Sequence, residues 1–449
     1  MSTEACLPLS SQQQLWCMPE QSGAFSPRFI VSKALRITGH VDMAALQAAL
    51  DDVVARHEML RTIIVRDAKP PYQQVRPPSP VPLTVRDLPP TPHQSRQEVA
   101  EDQLSAAEAS SIDVEQLPLL RADLARFDSH DSVLSLVSHH STCDGWSLNL
   151  VERDLAACYA ARTGGHPLSL PNIRQYQDYA RWQLANTDRP AAVANMAYWR
   201  EQLDGAGMFT LPTDRPVPAV YTAPYLRRSF VIDADEMAAV SRFVKAEHFS
   251  VFMVMLAVFN VLAHRISGTL DPAISTMFHG RGEPQYRDTV GLFLNFLTMR
   301  TDLVGCRSFR DIVTRTRATC LQAYEHEAPH LQVMQAIPTL REPMANPRNS
   351  YLVFGFWDLS LTSTTKGPFQ IGESASVIHK RERVPVRVNE QLPGGVTFNT
   401  GTISSGELVG SLQFSPETFD ERTVAGWVSD YCRILTAAMV GPDREWEAL

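Results

Sequence analysis

The stretch Leu134–Leu150, LSLVSHHSTCDGWSLNL, sets two adjacent histidines, an aspartate and a glycine between an apolar run and a segment with helical spacing. The run Asp131–Ser138 alternates Val133, Ser135 and Val137 with Leu134, Leu136 and Ser138, and its length fits a buried strand. After Gly145, the residues Leu148, Val151, Leu155 and Tyr159 return every three or four positions. His139–Gly145 therefore reads as a strand-to-helix loop, where a rigid scaffold displays reactive groups. Adjacent side chains on an extended backbone point to opposite sides, so His139 and His140 cannot both face one substrate. One of them at most can serve as a base. The same geometry argues against a shared metal ion, because neighbouring residues converge poorly on one centre and no third ligand set accompanies them. Gly145 supplies a turn without a side chain, and Asp144 can lock the loop.

Outward from this loop, the chain has 449 residues, 44% of them hydrophobic and 20% charged. That is enough for more than one core, since single cores stop growing beyond roughly 250–300 residues. The net charge of −8 comes without a long run of Lys or Arg, so the electrostatic footprint of a nucleic-acid binder is missing. Seven cysteines, at 6, 17, 143, 158, 306, 320 and 432, form no C-x-x-C pair; reduced thiols are expected, without disulfides or structural zinc. The N-terminus lacks a basic region followed by an apolar block, which argues against a secretory signal and for a cytoplasmic protein. The most apolar window, Phe249–Ala263, is interrupted by Asn260 and falls short of the roughly 20 residues that span a bilayer. A helix buried in protein is expected there, and no membrane partner.

From Asp42, the spacing of Leu46, Leu50, Val53 and His57 predicts an amphipathic helix capped by Asp42, turning into a strand at Arg56–Thr62. The proline-rich KPPYQQVRPPSPVPL reads as an edge or connecting segment. A second set begins with RRSFVI, a strand, and helices from Asp233 and Ser250. It continues through the turn-rich HGRGEPQYRD and an amphipathic helix over SFRDIVTRTRATCLQAY, whose outer side carries Arg310 and Arg317. NSYLVFGFWDLSL and ELVGSLQFS read as strands, ahead of a closing helix from about Phe419 to Met439.

HHSTCDGWS matches the HHxxxDG signature of the condensation domains of nonribosomal peptide synthetases, within the wider chloramphenicol-acetyltransferase-like superfamily. RHEMLRT (Arg56–Thr62) resembles the second motif of that family and YQDYARW (Tyr176–Trp182) the fourth; LSSQQQLW (Leu9–Trp16) resembles the first imperfectly. YWREQL, HGR, GLFLNFLTMR, HEAP and NSYLVFGF follow in family order, so the resemblance covers nearly the whole chain. It implies an α/β fold of two chloramphenicol-acetyltransferase-like lobes in a V-shaped pseudo-dimer with a central tunnel, the lobes expected at residues 1–175 and 176–449. NEQLPGGVTFNTG (Asn389–Gly401) is a candidate for a segment bridging them.

The resemblance further implies an acyl or aminoacyl thioester on the phosphopantetheine arm of a partner carrier protein. A small-molecule or second carrier-bound acceptor supplies an amine or a hydroxyl, giving an amide or an ester, with no bound cofactor. His140 is then the catalytic base or positioner of the nucleophile, His139 supports the loop, and Asp144 points away to pair with Arg56 or, second, Arg61. Gly145 would admit the pantetheine arm, and Trp199, Arg281 and Asn295 match positions that line or brace the tunnel. Cys143 falls at a variable position and is read as structural; Arg310 and Arg317 could meet an acidic carrier. No carrier-protein signature of the LGGxS type is present, which fits a free-standing enzyme or an excised domain. An acyl-CoA-dependent acyltransferase of the same superfamily, or a silent carrier-recruiting platform, is the alternative. Such platforms usually lose the second histidine, and His140 is present.

Overall fold

The structure, a computed structural model, describes residues 6–17, 27–90, 93–164, 167–219, 221–358, 371–379, 386–388 and 395–449. They form two compact units of mixed helix and sheet: Met1–Asn186 with His279–Leu294 and Leu361–Lys380, and Thr187–Phe278 with Asn295–Ser360 and Arg381–Leu449. This division departs from a single cut after residue 175. The helix Tyr176–Ala185 joins the first unit because Tyr176 Oη lies 2.7 Å from Ser10 Oγ and Ser11 N–H donates to Gln183 Oε1 at 2.7 Å. Two later segments also return to that unit, and no local pattern announces a return of this kind.

In the first unit a five-stranded sheet runs in the order Ser374–Val377, Ile30–Thr38, Asp131–His139, Leu120–Asp128, Leu83–Asp87. Asp131–His139 is antiparallel to both neighbours and buried at every residue, its polar Ser132, Ser135 and Ser138 included. On one face Ala34 and Val133 pack against Ala100 and Leu104 of the helix Arg96–Glu108. On the other, Lys33 donates to Asn149 Oδ1 at 2.7 Å and pairs with Glu152, both on the helix Gly145–Thr163.

The helix Met43–Arg56 packs beside Gly145–Thr163 and starts at Asp42, whose carboxylate accepts from Ala44 and Ala45 N–H at 2.9 and 3.0 Å. The strand Thr62–Val65 follows at the expected corner. The proline-rich stretch differs from expectation: Tyr72–Val75 is the middle strand of a three-stranded sheet, between Leu7–Pro8 and Thr62–Val65. Pro70, Pro71, Pro77 and Pro78 flank this strand without interrupting it, so its own N–H groups stay free to pair.

Among the described residues the second unit joins eight strands. Asn295–Arg300, Ala273–Phe278, Asn349–Asp358, Val396–Thr402, Leu408–Phe414, Tyr225–Ile232 and Val386–Val388 lie side by side, and Thr210–Pro212 pairs with Asn349–Asp358. Helices Ala234–Glu247, Val251–Ser267, Phe309–Glu325 and Glu421–Val440 share one hydrophobic core with this sheet. Asp233, Ser250 and Ser308 cap the first three. Phe398 sits among Phe259, Phe354 and Tyr431, with ring centroids 5.2, 6.0 and 4.8 Å away. The apolar window is inside this core, where Asn260 Nδ2 donates to Thr316 Oγ1 at 3.2 Å. No single described helix is long and apolar enough to cross a membrane.

Of the segment expected to bridge the lobes, residues 389–394 lie outside the described residues, and Val396–Thr402 is a strand within the second unit's sheet. The chain that instead joins the first unit's sheet is Ser374–Val377, by antiparallel pairing with Leu35–Thr38. Its short, polar sequence gives no strand pattern strong enough to be read.

Gly291, in the returning segment, tests how tightly that segment is seated. A Cβ there would come within 2.0 Å of the Tyr176 ring, and Tyr176 Oη is held by Ser10 and by Leu292 O at 2.5 Å. Gly291→Ala is expected to destabilise by at least about 1–3 kcal/mol through overpacking. Gly426→Ala, in a helix with open space at that position, should be neutral or stabilising by up to about 1 kcal/mol. Denaturant unfolding of both variants checks the contrast.

Candidate active site

The strand Asp131–His139 ends at His139, residues 140–142 form a turn, and Asp144 is the N-cap of the helix Gly145–Thr163. Its Oδ1 accepts from Ser147 N–H at 2.7 Å and its Oδ2 from Phe293 N–H at 2.9 Å. Arg281 Nη2 donates to Oδ1 at 3.3 Å and to Ser147 Oγ at 2.8 Å. Ser147 Oγ donates in turn to Gly291 O at 2.7 Å. Arg281 also donates to the carbonyls of Tyr286 and Thr289 at 3.1 and 2.7 Å, and lies over the Phe293 ring at 4.0 Å. One carboxylate thus ends the loop, starts the helix and fastens His279–Leu294.

The expected pairing of Asp144 with Arg56 or Arg61 is therefore corrected: its cation is Arg281, brought by the returning segment. Arg56 Nε, His57 Nε2 and Arg153 Nε meet Asp154 instead, at 2.8, 2.9 and 2.8 Å. Burial pushes the Asp154 carboxyl up, but the His57 and Arg153 bonds outweigh it and hold it at about 2. Burial keeps His57 below the usual imidazole range, opposed by Asp154. Arg61 donates to the carbonyls of Val54 and Arg76 at 3.3 and 2.6 Å. The second motif thus grips the helix Gly145–Thr163 one turn and more beyond the loop.

His139 is fully buried; its Nδ1 accepts from Ser141 N–H at 3.2 Å and lies 2.8 Å from Ser141 Oγ. It holds the turn. His140 N–H donates to Phe29 O at 2.9 Å, and its ring stacks on Phe29 with centroids 4.8 Å apart and planes at 18°. The residue is part-exposed, yet Nδ1 is buried with no partner among the described residues. Desolvation lowers the His140 pKa, with the Asp144 charge opposing. A neutral ring with an unengaged nitrogen results, the form that accepts a proton.

Cys143 is fully buried, and burial drives its thiol far above the ordinary range, so no thiolate is at hand. Gly145 is the first helical residue and is not in the left-handed region; the turn expected of it is made by residues 140–142. Trp199 and Asn295, in the second unit, are buried, with Trp199 Nε1 donating to His326 O at 2.7 Å and Asn295 Nδ2 to Ala328 O at 2.9 Å. Arg310 pairs with Asp443 and Glu247 at the surface, and Arg317 is exposed. The described residues hold no group of three or more His, Cys, Asp or Glu suited to a metal ion. Sequence reading missed Phe29, Ser147 and Asp154. Only the capping spacing of Asp144 and Ser147 could have exposed one of them.

A family model described as Condensation domain matches residues 3–449. The chain belongs to the condensation-domain family. A probable non-canonical nonribosomal peptide synthetase of Salinispora arenicola, CymA, is 33% identical over 97% of this chain, and the phosphinothricin tripeptide synthetase PhsC of Streptomyces viridochromogenes 35% over 76%. The condensation chain spans 6% and 32% of the lengths of these relatives. The crystal structure of SgcC5 from Streptomyces globisporus, in complex with (R)-1-(2-naphthyl)-1,2-ethanediol and sucrose, superposes with a TM-score of 0.90. It is 36% identical and covers 98% of this chain and 100% of its own. The X-domain from teicoplanin biosynthesis shares the fold with a TM-score of 0.77 at 23% identity, covering 100% of this chain and 98% of its own.

Asp144 and Arg281 are almost wholly buried, with side chains 5% and 1% exposed. Asp144→Ala strands the guanidinium, and a loss of about 3–5 kcal/mol is expected, seen as reduced soluble yield and a lowered melting temperature. The double variant Asp144→Ala/Arg281→Met should recover part of that loss. Native-like melting of the single variant would contradict the assignment.

Proposed function

We propose that this condensation domain transfers an acyl or aminoacyl group from a carrier-protein phosphopantetheine thioester to an amine or hydroxyl acceptor. The observation that carries the reading is His140, whose unengaged Nδ1 and neutral ring stand apart from a carboxylate that is fully committed to structure. The thioester is already activated, so catalysis needs alignment of the reactants and removal of one proton. His140 accepts the hydrogen bond of the acceptor N–H or O–H and takes its proton as the new C–N or C–O bond forms. The C–S bond then breaks, and the departing pantetheine sulfur receives that proton. No step forms an acyl-enzyme, in keeping with the buried Cys143 thiol.

A hydroxyl acceptor, and hence an ester, is favoured by the likeness to SgcC5, whose complex contains an aryl ethanediol. The partners are then an acyl- or peptidyl-carrier protein and a small-molecule acceptor. The likeness to relatives from nonribosomal peptide synthesis supports this reading of the donor.

Incubating the protein with acyl-loaded carrier and a panel of amines and alcohols, followed by intact mass spectrometry, tests the reading; loss of acyl mass from the carrier with formation of an amide or ester is expected. His140→Ala should lower turnover by about 10²–10⁴-fold while leaving the fold intact. Transfer from acyl-CoA but not from the carrier would favour the coenzyme A-dependent alternative. Undiminished pathway output with His140→Ala would mean a recruiting platform.

The pH profile adds a separate check. Because desolvation lowers the His140 pKa, the neutral ring persists to lower pH, and the acid limb of kcat/KM should fall below the ordinary imidazole value of about 6.5. A limb at or above that value would contradict the assignment.

A further inference from the structure

The short helix Ser11–Trp16, from the first motif, carries no charged side chain yet is tied down by polar bonds. Ser10 Oγ accepts from Gln13 N–H at 3.1 Å, and Gln13 Oε1 accepts from Ser10 N–H at 3.0 Å. Gln12 Nε2 donates to Tyr179 Oη at 3.2 Å, Gln13 Nε2 to Gln73 Oε1 at 3.4 Å and Gln14 Nε2 to Leu9 O at 3.1 Å. With the bonds from Ser10 and Ser11 to Tyr176 and Gln183, the helix is fixed to both Tyr176–Ala185 and Tyr72–Val75. Satisfied buried polar groups specify a geometry more than they add stability. The side chain held at the end of this mount is Trp16, only 4% exposed.

Trp16 closes on the ring of Phe29, with centroids 5.0 Å apart and planes at 55°. Phe29 lies one step beyond the last ladder pair, Ile30 with His139, and its carbonyl takes the His140 N–H. Its buried ring stacks on His140 and meets His139 edge-on, at 6.3 Å and 74°. A hydrogen bond can also fix an imidazole, as Ser141 fixes His139, but it engages a ring nitrogen. A stacked aromatic sets the plane and leaves the nitrogens available.

We infer that Trp16 is a positioning residue: mounted by the first motif, it backs Phe29, which in turn sets the plane of the His140 ring. This placement stands by itself, whereas its consequence for turnover rests on the transfer proposed above. Asp144 is the charge that acts on His140, and it opposes the effect of burial. Ser11–Trp16 and Phe29 add no charge, and burial keeps Cys17, at the helix end, protonated, its pKa pushed up to about 11. A smaller residue at position 16 or 29 therefore reaches His140 through packing and water access. Desolvation lowers the His140 pKa, so admitting water raises it towards the ordinary value of about 6.5.

The test uses the full chain with isotope-labelled histidine, His140→Gln assigning the His140 signal among the 13 histidines. Phe29→Leu and Trp16→Met should each move the His140 ring-proton resonances downfield, as the stack is lost or loosened, and raise the titration midpoint. Trp16→Phe should keep both near wild type. In acyl transfer from loaded carrier to the acceptor selected by mass spectrometry, kcat should fall about ten- to hundred-fold in the first two variants. KM should stay within about two-fold, and the acid limb of kcat/KM should follow the titration midpoint. Leu104→Ala, buried under the helix Arg96–Glu108, should lower the melting temperature without moving the His140 resonances. Trp16→Leu serves where Trp16→Met does not fold. The inference is overturned if the folded variant at position 16 keeps wild-type His140 resonances and midpoint, or if Trp16→Phe does as much damage. A wild-type protein that transfers to no acceptor sinks the proposed transfer, and the resonances alone then decide the positioning.

Discussion

The carboxylate of Asp144 is the constraint on which the first unit's functional loop depends. Four groups converge on or beside it: the N–H of Ser147, the N–H of Phe293, the guanidinium of Arg281 and, through Ser147 Oγ, the backbone of Gly291. Each alone is an ordinary hydrogen bond. Together, in a site with almost no exposure, they decide where the central strand ends, where the next helix begins and how His279–Leu294 returns. A buried ion pair of this kind adds little net stability over an apolar substitute, but it admits few alternative geometries. Its value is in fixing the geometry of the loop that carries His140.

That division of labour explains the two histidines. His139 is spent on the turn, through Ser141, while His140 is stacked on Phe29 and otherwise left alone. Phe29 bonds the His140 backbone and covers its ring, so the same residue orients the imidazole and strips it of water.

Much of this was legible in the amino-acid order because it is local. The strand ending at His139, the caps at Asp42, Asp233 and Ser250, and the buried helix Val251–Ser267 each follow from periodicity and capping. What escaped was non-local. The cation for Asp144 comes from 137 positions away, and Arg56, the obvious candidate by motif, is claimed by Asp154. Sequence proximity to a motif predicts that an arginine is committed, but not to which carboxylate. Tyr72–Val75 was obscured in a different way, because the prolines that mark its ends dominate its composition.

The separation of Asp144 from direct bonding to His140 also bears on what the loop can do. A carboxylate hydrogen-bonded to the imidazole would favour its charged form and oppose the lowering that burial brings. In this loop the charge is near enough to oppose desolvation but does not win, and the ring is held neutral. A serine nucleophile needs a strongly assisted base, whereas a thioester attacked by an amine or alcohol needs only a base with pKa near or below the working pH. The desolvated His140 ring covered by Phe29 is suited to the easier of these reactions, the one proposed above, in which the donor brings its own activation.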